Sequence, residues 1–469
     1  MDEIGLATTR PPATDATVDV HALHGAHINP RFAQVLKLIG FDRTWVRAKG
    51  AYLWDAQGER FLDLLAGYGV FNVGRNHHRV REALVRYMAD DPAMLVQLEA
   101  PAVSGVLAAR LKRLLDDRLE RVYFTSSGHE GVETAIKFAH AATGKPAILF
   151  ASSAFHGLST GALALNGTEQ FRDGFTPLIP HTRKIPFDDL AALERALGAG
   201  DVAAFVVEPI QGKRVAIPAA GYLREAARLC RQHGALFVVD EVQTGLGRTG
   251  RMFAFEHDGD VDPDMVVLSK ALSGGYVPVG AVLFRKAIYD RVFSTLDRAV
   301  VHSSTFGQGG LAMTAGLAAL DVIEDERLCV RAASLGDRLG AGLHALQARH
   351  EFVHDVRWRG LMLGMEFGPP RSLKLKAAWK LAHGINDGLF CQAVIIPLFE
   401  KHHMLTQVAG PGVDIIKLIP PLVIDEADVD ATVAAFDDVV GALHHFPGPA
   451  WTTITSIGKN AAGGLFQRS

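Results

Sequence analysis

Short, continuous apolar runs recur through the middle of the chain and predict buried strands. These runs lie within residues 122–128, 203–209, 235–241 and 264–270, which read VYFTSSG, AAFVVEP, ALFVVDE and DMVVLSK. Apolar runs without polar alternation are typical of parallel strands covered on both faces. We therefore predict a largely parallel sheet at the centre of the molecule.

Amphipathic stretches between these runs predict helices. Residues 131–144 carry apolar side chains at the i, i+3, i+4, i+7 spacing of one helix face. Residues 222–234 show a similar face, and Gly234 is the expected C-terminal cap. Strands joined by helices indicate an α/β fold, in which ligands bind beyond the carboxyl ends of the strands.

The length of the chain and its flanking regions predict a second, smaller domain. At 469 residues the chain exceeds the usual size of one domain. A β-hairpin with its turn at Gln57-Gly58 is predicted near the N-terminus, and mixed helices and strands follow residue 330.

We therefore predict five segments. The first 27 residues and the C-terminal stretch lack a clear period, so the arm is expected to be extended or disordered and the tail irregular. The predicted division is an N-terminal arm (1–29), a large domain (76–330), a small α+β domain from both chain ends (30–75 and 331–446) and a C-terminal tail (447–469).

Composition and charge narrow the classes of function. The formal net charge is −3 without a long basic run, so neither nucleic acid nor an anionic membrane is an expected partner. No secretory signal is expected, because the N-terminus lacks a basic region followed by an apolar one. No membrane span is expected, because no apolar run reaches about 18 residues. Cys230, Cys329 and Cys391 form no CxxC pair, which favours a reducing cytoplasm. The adjacent His402 and His403 have no partner cluster, so no metal is expected.

Three polar residues stand where predicted strands end: Glu208, Asp240 and Lys270. If the strands are parallel, these side chains emerge at one edge of the sheet. Each has an ordinary alternative, since a strand-end lysine is commonly solvated and a strand-end aspartate commonly caps a turn. Their combination has a more specific meaning.

A lysine leaving a buried strand is partly desolvated, which lowers its pKa and frees its lone pair for a carbonyl. A buried aspartate needs a cationic partner, and a protonated pyridine nitrogen supplies one. The turn TSSGHEG (125–131) presents backbone N–H groups and a helix N-terminus to an anion such as a phosphate. Neither GxGxxG nor GxxxxGK[ST] occurs in this turn. The three features together predict a pyridoxal 5′-phosphate site.

Beyond these residues, six ordered segments resemble the class III (omega, or subgroup II) family of pyridoxal phosphate-dependent aminotransferases. The resemblance covers roughly residues 30–445 and implies fold type I, a large domain with a mostly parallel sheet plus a small α+β domain. The segments are SSGHEGVETAIK (126–137), FHG (155–157), VVEPIQGK (206–213), VVDEVQTGLGRTG (238–250), LSKALSGG (268–275) and HSSTFGQGGLA (302–312).

The resemblance also implies roles for residues. By position, Lys270 matches the catalytic lysine that bonds the cofactor and carries a proton, and Asp240 matches the partner of the ring nitrogen. The other implied cofactor contacts are Ser127, Gly128 and His129 at the phosphate turn, Phe155 and Val242 on the ring faces, Gln243 near the 3-hydroxyl, His156 and Glu208 within matched motifs, and Thr305 from a neighbouring subunit. A homodimer with shared active sites is therefore expected.

The expected substrate site departs from the family pattern. Tyr68, Val70 and Phe71 are expected to give an apolar wall, as that segment does in relatives. Lys417 stands before PPL where carboxylate-binding relatives have arginine, and Leu158 follows FHG where a second arginine is frequent. Lysine lacks the planar fork that binds a carboxylate through two hydrogen bonds. We expect a weaker or movable carboxylate site.

Two further hypotheses concern this region. Glu208 and Lys417 are interpreted as a switch in which the carboxylate holds the amine aside; the alternative is that Lys417 is an ordinary surface lysine. Residues 389–398 are expected to belong to the core rather than the pocket. His129, FGQGG after Thr305, and GRNHH (74–78) are other departures, and the first suggests that phosphate binding rests on backbone N–H groups.

The sequence therefore predicts a cytoplasmic aminotransferase that moves an amino group from an amino acid or amine to an aldehyde, ketone or oxo acid by a ping-pong mechanism. An aminomutase or a decarboxylase on the same fold is the alternative, because the lysine and aspartate are shared by all three. A binding or regulatory protein that retains the fold is a further alternative, disfavoured by the intact Lys270, Asp240 and Gln243.

Overall fold

The computed structural model of the chain describes residues 19–96, 98–385, 389–448 and 451. Most of the predicted arm and most of the predicted tail lie outside these residues. The strands, numbered along the chain, are β1 (Trp45–Lys49), β2 (Tyr52–Asp55), β3 (Arg60–Asp63), β4 (Arg121–Thr125), β5 (Ala147–Ala151), β6 (Thr182–Ile185), β7 (Val202–Val207), β8 (Leu236–Asp240), β9 (Met265–Leu268), β10 (Gly280–Phe284), β11 (Val353–Arg359), β12 (Met362–Phe367), β13 (Met404–Leu405), β14 (Gln407–Val408) and β15 (Ile415–Leu418).

Helices pack around these strands. They are α1 (Val20–His27), α2 (Pro30–Leu38), α3 (Ala66–Gly69), α4 (His78–Ala89), α5 (Ala102–Arg113), α6 (Gly128–Thr143), α7 (Thr160–Ala164), α8 (Leu190–Leu197), α9 (Tyr222–Gln232), α10 (Lys286–Val292), α11 (Gly310–Asp325), α12 (Leu328–Ala345), α13 (Leu373–Ile385), α14 (Leu389–Glu400) and α15 (Glu426–Ala442).

A seven-stranded sheet in the order β4-β10-β9-β8-β7-β5-β6 lies at the centre. The five strands from β9 to β6 are parallel, whereas β10 is antiparallel to both of its neighbours. Every residue of β5, β7, β9 and β10 is buried, which explains their unbroken apolar composition. The predicted α/β fold with a mostly parallel sheet is confirmed.

The two predicted helices are also confirmed, as α6 and α9. Helix α9 buries Leu223, Ala226 and Cys230 on one face. Gly234 follows the end of α9 with φ +61°, a left-handed conformation that favours glycine at a helix C-terminus. The sequence pattern thus located both the helix and its end.

Two four-stranded sheets flank the central one, in the orders β1-β2-β3-β13 and β11-β12-β15-β14. The predicted hairpin is confirmed as β2 and β3, with Gln57-Gly58 in its turn. Strand β13 pairs with β3 in parallel, so residues near both chain ends share one sheet. This pairing agrees with a small domain built from both ends, while the domain boundaries stay predictions.

The prediction for the N-terminal arm is wrong over residues 20–27. There the chain forms helix α1, capped by the Asp19 carboxylate, which accepts hydrogen bonds from the amides of His21 and Ala22. The composition gave no clear helical period because none of the residues in α1 is buried, so no apolar face was required.

Two findings concern membranes and metals. Within the described residues no single helix is both long enough and apolar enough to span a membrane. Helices α13 and α14 have that length and apolar composition only when they are counted together as a bent pair. The same residues contain no group of three or more His, Cys, Asp or Glu side chains placed to hold a metal ion. His402 bonds Asp438, whereas His403 stacks on Phe61.

Candidate active site

The three strand-end residues meet at one cavity. Glu208 follows β7, Asp240 ends β8, and Lys270 stands two residues beyond β9. Because these strands are parallel neighbours, their carboxyl ends lie side by side. All three residues line a cavity of about 1320 Å³, as the sequence predicts.

Lys270 occupies a strained backbone position. Its φ is +40°, in the left-handed region that side chains other than glycine rarely adopt, at a cost of about 1–3 kcal/mol. Burial lowers the pKa of its amine, although the charges of Asp240 and Glu208 oppose this shift. A lysine with a lowered pKa is suited to act as a nucleophile and as a proton carrier.

Asp240 forms a buried pair with His156. The aspartate Oδ2 lies 2.7 Å from His156 Nδ1, and its Oδ1 accepts a hydrogen bond from the amide of Val242 at 3.0 Å. Burial lowers the pKa of His156, but the hydrogen bond and charge of Asp240, together with the charge of Glu208, outweigh it and raise the pKa overall. The histidine therefore fixes the position of the aspartate.

The predicted phosphate turn is the N-terminus of α6. Ser127 caps this helix by accepting a hydrogen bond from the amide of Glu130, so it lies behind the cavity rather than in its lining. Gly128 and His129 come next and line the cavity. A Cβ on Gly128 would come within 2.9 Å of Val242, so only glycine allows the helix to approach this closely.

Phe155, Val242 and Gln243 complete the inner part of the cavity. The Nε2 of Gln243 donates to the Tyr68 carbonyl at 3.0 Å, while its Oε1 is buried without a hydrogen-bond partner within the described chain. A buried amide oxygen that lacks a hydrogen-bond donor is suited to accept a hydrogen bond from a ligand.

These residues fit pyridoxal 5′-phosphate on the structure's own geometry. The close approach at Gly128 leaves a helix N-terminus open to a phosphate. The free Oε1 of Gln243 suits a hydroxyl donor, and Asp240 is an acceptor for a protonated ring nitrogen. Phe155 and Val242 provide apolar surfaces within the same cavity for a planar ring.

Lys417 is a buried residue of this cavity, so the alternative of a surface lysine is wrong. It is 5% exposed, and burial, followed by the charge of Lys270, lowers its pKa to about 7. Its Nζ donates to the carbonyl of Gly212 at 2.8 Å, and Glu208 accepts from the amide of the same Gly212 at 2.9 Å. The two charged groups thus meet through one peptide segment rather than as a direct ion pair.

Two expected site residues, Phe71 and Thr305, lie outside the cavity lining, as does Leu158, which stands where relatives often have arginine. Phe71 lies outside the cavity lining, with its ring 4.1 Å from the guanidinium of Arg75. Thr305 is exposed and also outside the lining, and its role toward a neighbouring subunit stays a prediction. Leu158 is 55% exposed. Tyr68 does line the cavity, and its hydroxyl donates to Gln407 at 2.9 Å.

Sequence reasoning missed the outer part of the cavity. Its lining there comes from α2, from Phe171 and Lys213, and from residues 407–412. Leu389 and Gln392 also line it, so residues 389–398 are core in part and pocket in part. The one available signal was Lys213, which directly follows the strand-end motif around Glu208.

The comparisons with known proteins agree with this geometry. The family model Aminotransferase class-III matches residues 40–440. The chain is 37% identical to aminotransferase PigE of Serratia sp. (strain ATCC 39006), over 93% of this chain and 54% of that protein. It therefore spans about half the length of this curated relative.

Solved structures are similar over most of their length. The ornithine aminotransferase of Toxoplasma gondii ME49 gives a TM-score of 0.77 and 29% identity, covering 90% of this chain and 98% of that one. An amine transaminase from an uncultivated Pseudomonas species was solved in its pyridoxal phosphate-bound form. It gives a TM-score of 0.75 and 26% sequence identity, covering 85% of this chain and 94% of that one. The chain belongs to the class III aminotransferase family, whose members use pyridoxal 5′-phosphate.

Proposed function

We propose that this protein is an aminotransferase that uses pyridoxal 5′-phosphate to move an amino group from an amino acid or amine to a carbonyl acceptor. The observation that carries the proposal is the meeting of Lys270, Asp240 and the N-terminus of α6 in one cavity. Each of these groups matches a different part of the cofactor. The donor product leaves before the acceptor binds, which is a ping-pong cycle.

The bound cofactor supplies an electron sink for negative charge that develops on the substrate carbon. The chain supplies the groups that hold it and that move protons. Lys270 Nζ, whose pKa is lowered by burial, accepts a proton from the substrate carbon and returns one. Asp240, fixed by its hydrogen bond with His156, would partner the nitrogen of the cofactor ring. The amides of Gly128 and His129 orient the phosphate.

The acceptor in this proposal is an aldehyde or ketone with a mostly apolar chain. Support comes from the outer cavity, where Val35, Leu38 and Ile39 of the α2 region and Leu389 face the same space as Phe171. Arginine is absent from the described lining of the cavity, so the paired hydrogen bonds of a guanidinium–carboxylate clamp are not available there.

We further propose a cytoplasmic homodimer with shared active sites. The three cysteines are free thiols, which suits a reducing compartment. Thr305 lies in a segment that exposes large apolar side chains, with Leu296 96% and Phe306 65% exposed. Such a surface is typical of a subunit interface. Light scattering coupled to size exclusion would contradict the dimer if it gave the mass of one chain.

The proposed reaction is tested with the purified holoenzyme and a panel of amines and amino acids. We expect each active donor to change the cofactor absorption and to release a carbonyl product, with turnover only when an acceptor is added. Borohydride reduction followed by peptide mass spectrometry should place the cofactor on Lys270. Carbon dioxide release without an acceptor would indicate a decarboxylase, and an absence of any spectral change would favour a binding protein.

A further inference from the structure

Lys213 is a charged residue of the cavity to which the proposed reaction assigns no part. It follows Gly212, just beyond β7, and lines the same space as Lys270. Its Nζ donates to the Asn166 side-chain oxygen at 3.0 Å. The same atom lies 4.0 Å from the ring centre of Phe171 and 4.9 Å from that of Phe155. The amine is therefore held in place by three neighbours while it faces the cavity.

Among its described lining residues, the cavity leaves one amine available to a substrate. Three lysines line it, at positions 213, 270 and 417. The two carboxylates that line it are already bonded within the protein. Glu208 accepts from the amides of Phe155 and Gly212, and Asp240 accepts from His156 and Val242. Lys270 holds the cofactor in the proposed reaction and Lys417 donates to the Gly212 carbonyl, so an anionic substrate group would meet Lys213.

Lys213 is better placed than Lys417 to meet such a group. Lys417 is 5% exposed and its Nζ is bonded to the Gly212 carbonyl. Lys213 is only partly buried, and an ammonium over two aromatic rings keeps hydrogen atoms for other acceptors. A lysine also binds as a point charge, so it accepts a carboxylate without demanding one orientation.

We propose that Lys213 binds the carboxylate of the amino donor and of the oxo acid product, and so determines the preference of the enzyme for donors that carry a carboxylate. This inference rests on the proposed aminotransferase function. Lys213 then acts as a specificity-determining residue, and the rings of Phe155 and Phe171 hold its ammonium in the position for binding.

The pKa of the Lys213 amine agrees with this assignment. Burial lowers the pKa of Lys213 to about 8, against the opposing charge of Glu208. Besides Glu208, the titratable groups that line the described cavity are Tyr68, Asp240, Lys270, Lys417, His129 and His156. A carboxylate bound beside Lys213 would raise its pKa, so binding near pH 8 should take up protons, and affinity should fall as the pH rises further.

The test compares two donors of nearly the same shape, alanine and isopropylamine, which differ by a carboxylate in place of a methyl group. Single-turnover reactions of the holoenzyme give the rate and apparent Kd for each donor. We expect Lys213→Met, which keeps the apolar stem, to lower the preference for alanine over isopropylamine by about 10- to 100-fold. Lys213→Arg should restore part of that preference. Lys184→Met, at an exposed lysine of β6, should match the unaltered enzyme.

A binding measurement separates this inference from the proposed function. Isobutyrate carries the carboxylate without the amine, so calorimetry in buffers of different ionisation enthalpy measures its affinity and proton uptake without turnover. We expect Lys213→Met to lower the affinity for isobutyrate at least tenfold and to reduce the proton uptake on binding. An unchanged donor preference or unchanged isobutyrate binding would overturn the role of Lys213. If no donor reacts with the unaltered enzyme, the proposed function fails, while the isobutyrate result still decides the carboxylate site.

Discussion

The cavity has two sides that differ in construction, an inner floor and an outer wall. The floor consists of Glu208, Asp240 and Lys270 at the strand ends and of the α6 N-terminus. The wall consists of the α2 region, Phe171, Lys213 and residues 407–412. Floor groups are anchored by the central sheet and by buried hydrogen bonds, whereas the wall is assembled from segments far apart in the chain.

This difference separates two properties of the enzyme. The floor fixes the position of groups that any substrate must meet, so it determines the type of reaction. The wall contacts only those parts of a substrate that vary, so it determines which substrate is used. Changes in the floor should therefore affect all substrates alike, and changes in the wall should alter the ratio between substrates.

The largest expected effect is at Lys270. Lys270→Ala removes both the covalent attachment and the proton carrier, so we expect the single-turnover rate to fall by at least about 10⁴-fold for every donor. Stopped-flow absorbance measures this rate, and added methylamine should restore part of it. Lys374→Ala, at an exposed lysine of α13, is the matched control. A loss below tenfold would contradict the assignment of the floor.

Asp240→Asn should have the next largest effect. It keeps the shape of the side chain but removes the negative charge that would partner the ring nitrogen, and we expect the rate to fall by about 10²- to 10³-fold for all donors. The pKa of His156 should also fall, because the charge and hydrogen bond of Asp240 are what raise it. Proton NMR of the imidazole checks this shift. Asp438→Asn, which alters an exposed ion pair with Lys401, is the control.

Lys417 lies between the floor and the wall of the cavity. Its titration should make the free energy of unfolding depend on pH. Its pKa is about 7 in the folded protein against an ordinary 10.5, so between these values the unfolded chain binds more protons. Its contribution to the free energy of unfolding is therefore lowest below pH 7 and rises toward pH 10.5, by an amount on the order of a few kcal/mol.

Urea unfolding of Lys417→Met at pH 6 and pH 9.5 should show a smaller difference between the two pH values than the unaltered protein does. Lys374→Met provides the comparison for loss of an exposed lysine. An equal pH dependence with and without Lys417 would mean that its amine is not buried as the structure shows.

The smallest expected effect is at Leu38 in the wall. Leu38→Ala removes part of an apolar surface, and we expect kcat/KM for a long-chain aldehyde to fall by about fivefold. The effect should shrink as the aldehyde chain shortens, while the donor half-reaction with isopropylamine serves as the internal reference. A loss that is equal for short and long aldehydes would place Leu38 outside the acceptor site.

The floor could be predicted from sequence because its signals are local. A buried strand has a continuous apolar run, and the polar residue that ends it is visible at once, as at Asp240 and Lys270. The wall has no such signal. Leu38 and Phe171 become neighbours of the cavity only through tertiary packing, and nothing in their own surroundings in the sequence marks them.

The position of Lys417 shows a second limit of sequence. The sequence shows that Lys417 stands where carboxylate-binding relatives have arginine. Its burial and its hydrogen bond to Gly212, however, depend on how β15 pairs with β12 and β14. Helix α1 shows a third limit, because a helix without a buried face leaves no apolar period to detect.

The pairing of β3 with β13 has a consequence for synthesis on the ribosome. Leu62 and Met404 are partners although about 340 residues separate them in the chain. The edge of the hairpin strand β3 that pairs with β13 therefore stays open until those intervening residues have been synthesised. Since residues 407–412 follow directly after β13, the nascent chain can complete its central sheet well before it can close the substrate pocket.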